Sequence, residues 1–270
     1  MKKLLYPLFI MVRRCIYLTL GTIDMLFGRK SSLVVLSYHS IAKDSWQFSI
    51  DKETVEKQLT YLKKHYNLVS PADVADVISG KRVMKTPSVV LTFDDGYKDI
   101  LTLKPFFTKH AITPTLFVLS DGVHANWEQL DTHRPLLSEK EITSLRDAGW
   151  IIGCHSGTHA NLTEVTAKEL ETEVTTAKKI LEQLLNKKIS YFAYPRGKHN
   201  ARVVQTLSKA GYILAFTMDD GAINTATNPL LVPRVGVDGT HTFAEFRVLF
   251  SPSVIRFRQM IKTSFLGRYL

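Results

Sequence analysis

Seven short apolar runs punctuate the chain, at 32–37, 88–93, 113–119, 150–154, 191–194, 212–217 and 230–235. Most are unbroken rather than alternating, as in Val89-Val90-Leu91, which is the pattern of strands covered on both faces. Helical spacing fills most of the gaps between them. Val55, Leu59 and Leu62 follow Ser49 and Asp51, either of which serves as a cap, and Ser70-Pro71 opens a second helix that ends by Gly80. Ser138 with Glu141 and Thr166 with Glu169 make capping boxes ahead of further apolar stripes. Strands alternating with helices predict an α/β barrel. The charged run over 168–188 reads as a solvated helix face. The polar stretch 120–135 has no period and reads as a lid, with His124 and His133 as surface residues.

The chain has 270 residues and 45% hydrophobic composition, enough to bury a sizeable core in one domain. Cys15 and Cys154 offer no disulfide framework and are compatible with a reducing compartment. The net charge of +10 is unevenly spread. Residues 1–30 hold six Lys/Arg against Asp24 alone, and 246–270 hold five with no acid, which leaves the body of the chain balanced. Basic ends rich in large apolar residues favour an anionic membrane surface over nucleic acid, and no nucleic-acid partner is expected.

At the N-terminus, apolar residues 4–12 precede Arg13 and Arg14, and a second apolar stretch covers 16–27. Each half is too short to span a bilayer. Joined, they would place two arginines near the middle, at about 2.5–3.5 kcal/mol each. No small-x-small cleavage site follows. The expected organisation is therefore a membrane-associating segment over 1–31, a barrel over 32–245, and a basic amphipathic segment over 246–270. In the latter Val254, Phe257, Ile261 and Phe265 recur at helical spacing. This predicts peripheral attachment at the cytoplasmic face, with an N-terminal anchor as the alternative; because Arg258 intrudes on the stripe, a C-terminal helix that packs on the core is the other expectation for 246–270.

Chemistry gathers at the ends of the runs. The run 88–93 stops on Asp94, Asp95 and Gly96, two acids and a permissive backbone at the strand end where α/β folds hold their sites, although a plain Asp-Gly turn fits these three residues equally. The run 150–154 stops ahead of His155 and His159, four residues apart, so both imidazoles can be aimed at one point. Imidazole and carboxylate together suit a divalent transition metal. A metalloprotease reading of the two histidines fails, because residue 156 is Ser where a Glu is required. A second Asp-Asp-Gly at 219–221 is a rival for the metal and lacks a second histidine pair.

Thr92–Gly96 and His155–His159 resemble the TFDDG and HSxxH motifs of the polysaccharide deacetylase (NodB-homology, carbohydrate esterase family 4) family. Tyr38-His39 resembles the early YH step of its exopolysaccharide deacetylase branch. The resemblance covers roughly 33–240 and implies an irregular (β/α)7 barrel that removes an N-acyl group, most often N-acetyl, from an amino sugar of a glycan or lipid-linked saccharide. It implies that Asp95, His155 and His159 hold a metal, Zn2+ by habit of the family, with Co2+, Ni2+ or Mn2+ also accepted by such ligands. Asp94 is then the base and His39 the acid, with His241 as the alternative acid. The third motif, usually RPPYG, is altered: Ala193 stands in place of arginine and Arg196 in place of tyrosine. Arg234 is expected to replace the lost arginine. The oxyanion and substrate side is assigned to Arg196 through its main-chain N–H, with Tyr97 and Pro195. A barrel that binds glycan without turnover is the competing expectation.

Overall fold

A computed structural model of the chain describes residues 2–262. Phe265, counted in the C-terminal stripe, lies outside them. Eight parallel strands form one sheet: β1 (Leu33–Tyr38), β2 (Asn67–Val69), β3 (Ser88–Phe93), β4 (Thr115–Val118), β5 (Ile151–Cys154), β6 (Tyr191–Ala193), β7 (Leu214–Phe216) and β8 (Val235–Gly236). The order is β7-β6-β5-β4-β3-β1-β8, with β2 paired beside β3. The stretch before β8 bridges back to β7 through Phe216 and Val232, so the sheet curls toward closure as an irregular barrel.

All seven expected runs contribute strands, and β2 is an addition. It has three residues, too few for a period to be read. The last expected strand shrinks to Val235–Gly236, since Pro233 has no N–H to give to a ladder. Alternate residues of β1 enter two cores: Leu33 and Val35 face the barrel interior with Val90, Phe117 and Phe216, while Val34 and Leu36 face the helices. Both faces are buried, which explains the unbroken apolar runs.

Register sets the site. Tyr38 pairs with Phe93, and Val118 with Cys154, so His39, Asp94 and His155 leave their strands at one rim. Asp95, Ser156, His159 and Arg196 all take positive φ, between 55 and 70°, at the turns of this rim. Non-glycine residues in that region cost of order 1–3 kcal/mol each and collect at sites whose surroundings hold them.

The two basic ends pack on the barrel and on each other. The N-terminal helix Lys2–Leu26 and the C-terminal helix Pro252–Lys262 are in contact, and Gly21 permits close approach to helix Phe243–Val248, where a Cβ would lie 2.2 Å from that of Val248. Arg13 is buried and bonds Glu245 at 3.2 Å, while Arg14 reaches the same carboxylate from the outer side. Asp24, fully buried, accepts from the backbone and hydroxyl of Ser253 at 2.7 and 2.8 Å.

Of the two expectations for the C-terminal helix, its described stripe residues take the core-packing one. Val254 and Ile255 are in the core and Phe257 packs edge-on against Tyr17. Arg258, which interrupts the stripe in sequence, is buried to reach Asp220 at 2.6 Å. Among the described residues, no helix is long and apolar enough to cross a membrane.

Candidate metal centre and active site

The rim opens into a cavity of about 670 Å³ whose wall includes His39, Asp94, Asp95, His155, His159 and Arg196. At its floor Asp95 Oδ1 lies 3.1 Å from His155 Nε2 and 3.3 Å from His159 Nε2, all three residues buried. His155 Nδ1 is 2.8 Å from the Ala193 carbonyl oxygen, which can only accept, so Nδ1 carries the proton and Nε2 is the atom turned to Asp95. A neutral imidazole then points a lone pair at a carboxylate oxygen, and Asp95 Oδ1 has no hydrogen-bond donor. Two lone pairs facing each other in a buried place repel unless a proton or a metal cation lies between them. These three residues are also the group among the described residues whose ligand atoms converge within 4.8 Å. The donor set therefore fits a divalent ion.

The electrostatics agree. Burial works against charge on Asp95, yet His155 and His159 hold its carboxyl well below the usual range. Burial likewise depresses His155, and the Asp94 and Asp95 carboxylates outweigh it to raise the imidazole's pKa: the two acids call for one positive charge here, which a second ring proton or a divalent ion in its place can supply.

Asp94 sits beside this centre with a different set of partners. Arg234 grips it with two parallel bonds, Nη1 to Oδ1 at 2.7 Å and Nη2 to Oδ2 at 2.6 Å. Thr217 O and Thr92 Oγ1 take the remaining contacts of a guanidinium that is completely buried, over the face of Phe117. Burial would raise the Asp94 carboxyl, but Arg234 and the neighbouring His155 hold it below its ordinary value. Arg234, expected as the partner of this acid, thus reaches Asp94 from the position just before β8, and Ala193 contributes its carbonyl to His155.

Of the other expected residues, His39 lines the cavity half-buried, packed against Phe48 with Nδ1 unpartnered. Arg196 lines it too, its Nε donating to Gln129 O at 2.7 Å, which ties the turn to the 120–135 segment. Gln129, Leu130 and Asp131 of that segment form part of the wall, as a lid would. His124 pairs with Asp121 and is exposed, as expected of a surface residue.

Tyr97 and Pro195 are corrected: neither lines the cavity. Tyr97 is 1% exposed and packs edge-on against Trp46, behind Asp95, and Pro195 is buried at the start of its turn. His241 is buried behind the wall, paired with Asp238 at 3.0 Å and stacked on Tyr17. The second Asp-Asp-Gly is an anchor: Asp220 meets Arg258 at 2.6 Å and Lys262 at 2.7 Å, two cations of the C-terminal helix.

Sequence reasoning missed Glu173. It falls in the run read as a solvated face, yet it is buried and accepts from the amides of Gly157 and Thr158, both at 2.9 Å, and from the Thr158 hydroxyl at 2.8 Å. It thereby fixes the loop that carries His155 and His159. A π-helical turn over Thr172–Thr176 presents it, a local irregularity with no sequence signal of its own.

Comparison with known proteins agrees with this geometry. The sequence profile described as polysaccharide deacetylase matches residues 81–215, half of the chain. A Staphylococcus aureus poly-beta-1,6-N-acetyl-D-glucosamine N-deacetylase is 24% identical over 235 residues, 77% of this chain and 79% of that protein. Among solved structures, the Streptococcus pyogenes deacetylase PplD in complex with acetate superposes with a TM-score of 0.70 at 21% identity, covering 81% of this chain and 97% of that one. IcaB from Ammonifex degensii gives 0.69 at 24% identity, covering 86% and 98%. These two likenesses establish the fold, and with it the irregular barrel expected from the motifs. By the profile match and the motifs at Thr92–Gly96 and His155–His159, the chain belongs to the polysaccharide deacetylase family.

Proposed function

We propose that the chain is a metal-dependent hydrolase that removes the N-acetyl group from an amino sugar of a glycan or lipid-linked saccharide. The observation that carries the reading is the convergence of Asp95, His155 and His159 beside a separately held carboxylate, Asp94. Zinc is the expected ion, and cobalt, nickel or manganese suit the same donors. When bound, a divalent ion supplies Lewis acidity: it polarises an acyl oxygen and eases deprotonation of water.

The chain's own groups divide the remaining work. Asp94, kept ionised and fixed in orientation by Arg234, takes the proton of the attacking water. The amide of Arg196 faces the developing oxyanion, a contact that needs no particular side chain. His39 gives a proton to the departing amine. It is preferred to His241 because it lines the cavity, whereas His241 stands behind the wall, committed to Asp238. The glycan-binding alternative is disfavoured because Asp95, His155 and His159 converge and Arg234 grips Asp94 beside them, an arrangement that supports turnover.

The substrate reading is supported by the S. aureus relative, whose name specifies a poly-N-acetylglucosamine. The reading extends to peripheral attachment at an anionic membrane, on the cytoplasmic face where anionic lipids concentrate. Amine release from an N-acetylglucosamine oligomer by metal-loaded protein, and not by metal-stripped protein, tests the catalytic part.

A further inference from the structure

The N-terminal helix Lys2–Leu26 is packed with its polar side inward. Arg13, Tyr17, Gly21 and Asp24, three or four residues apart, are buried against the barrel and the C-terminal helix. Three of them make polar bonds there: Arg13 with Glu245, Tyr17 with Arg258, and Asp24 with Ser253. The opposite side carries Leu8, Met11, Val12, Ile23, Met25 and Leu26, followed by Phe27, all between 40% and 78% exposed. Apolar burial on the inward side is thus limited to Tyr17, with Leu18 and Leu20 packed partly against the core, while the large apolar side chains just named face outward. Two exposed apolar clusters, at 8–12 and 23–27 with Cys15, Thr19 and Thr22 between them on the same side, are unfavourable in water and mark a surface that something covers.

Charge identifies the cover. Arg29 and Lys30 follow the second cluster and are exposed, and the Arg14 side chain is 42% exposed. The helix has one acid, Asp24, which is buried and engaged. An apolar face bordered by cations and free of exposed acid would repel a second copy of itself, whereas an anionic lipid surface complements both properties. We propose that the outward face of Lys2–Leu26 lies in the plane of an anionic bilayer and docks the chain there. This deepens the membrane part of the reading above and rests on it: one helix carries the attachment, mainly through apolar side chains, while the C-terminal helix faces inward.

The same packing relates docking to the site. Tyr17, on the buried side, accepts from Arg258 Nη1 at 3.1 Å, and Arg258 is part of the cavity wall. The helix thickness, about 10 Å, therefore separates that wall from the lipid.

The test uses full-length, metal-loaded protein sedimented with vesicles of phosphatidylcholine, alone or mixed with phosphatidylglycerol. Wild type should pellet with the anionic vesicles. Leu26→Glu/Phe27→Glu and Met11→Glu should each lower partitioning, by about tenfold or more for the double variant. Val83→Glu, at an 81% exposed valine on the barrel, should bind as wild type. Circular dichroism and metal content serve as folding controls.

Equal sedimentation of wild type and the double variant, or no wild-type binding to either vesicle, overturns the proposal. So does a wild-type dimer in light scattering that Leu26→Glu/Phe27→Glu dissociates in the absence of lipid binding. Sedimentation is independent of amine release, so the docking proposal and the catalytic reading fail separately.

Discussion

Arg234 and Asp94, 140 residues apart, form a doubly bonded pair at 2.7 and 2.6 Å beneath the reaction cavity. The arginine holds the acid in its ionised form against burial, so in protein that retains its metal Asp94 should stay a base to pH values below the ordinary aspartate range, and the histidine ligands set where metal is lost. Arg234→Ala removes the largest opposition to burial and leaves mainly His155. The acid limb of kcat/KM should move to higher pH, and kcat should drop about 10²–10⁴-fold. Arg234→Lys, which keeps charge and loses the fork, should shift the limb less. An unmoved limb in Arg234→Ala would show that Asp94 is not the titrating base.

His39 and His241 separate two assignments of the acid. His39→Ala should keep metal and fold while losing about a hundredfold or more in kcat. His241→Ala removes a ring stacked on Tyr17 and bonded to Asp238, so it should cost stability rather than turnover. The reverse pattern in melting and rate measurements would move the acid to residue 241.

Much of this site is readable from sequence because burial on both faces makes strands continuous apolar runs, and the reactive groups sit directly at their ends. Asp94, Asp95, His155 and His159 follow from that. Arg234 was reached through the altered third motif, with Ala193 signalling that an arginine had to come from elsewhere. Tyr97 and Pro195 were misplaced because adjacency in sequence does not say which way a turn residue points. Glu173 was hidden because a buried acid in a helix looks like its solvated neighbours until its partners, the amides of Gly157 and Thr158, are known. The C-terminal stripe was legible as a stripe, but its period does not say what it faces. Arg258 within it was the clue, since it is buried there to neutralise Asp220.

Glu173 should matter for metal affinity without touching metal. Glu173→Ala releases two amides and a hydroxyl of the loop before His159, and metal should bind about 10–100-fold more weakly. Titration with a competing chelator measures this. Unchanged affinity would mean that the loop holds its shape unaided.

Asp220 should matter for stability without touching metal. Asp220→Ala strands the buried Arg258, which costs about 3–5 kcal/mol, so the melting temperature should fall by several degrees or more while metal content stays at the wild-type level. Loss of metal in this variant would revive the second Asp-Asp-Gly as a ligand.

The most direct measurement is mass spectrometry of an N-acetylglucosamine oligomer after incubation with zinc-loaded protein, alongside Asp94→Asn and Asp95→Asn whose zinc content is measured in parallel. Loss of one acetyl mass per event is predicted for wild type only. Asp94→Asn should retain zinc yet leave the oligomer intact, whereas Asp95→Asn should lose most of its zinc. Deacetylation by metal-stripped wild type, or by zinc-loaded Asp94→Asn at the wild-type rate, would contradict the account.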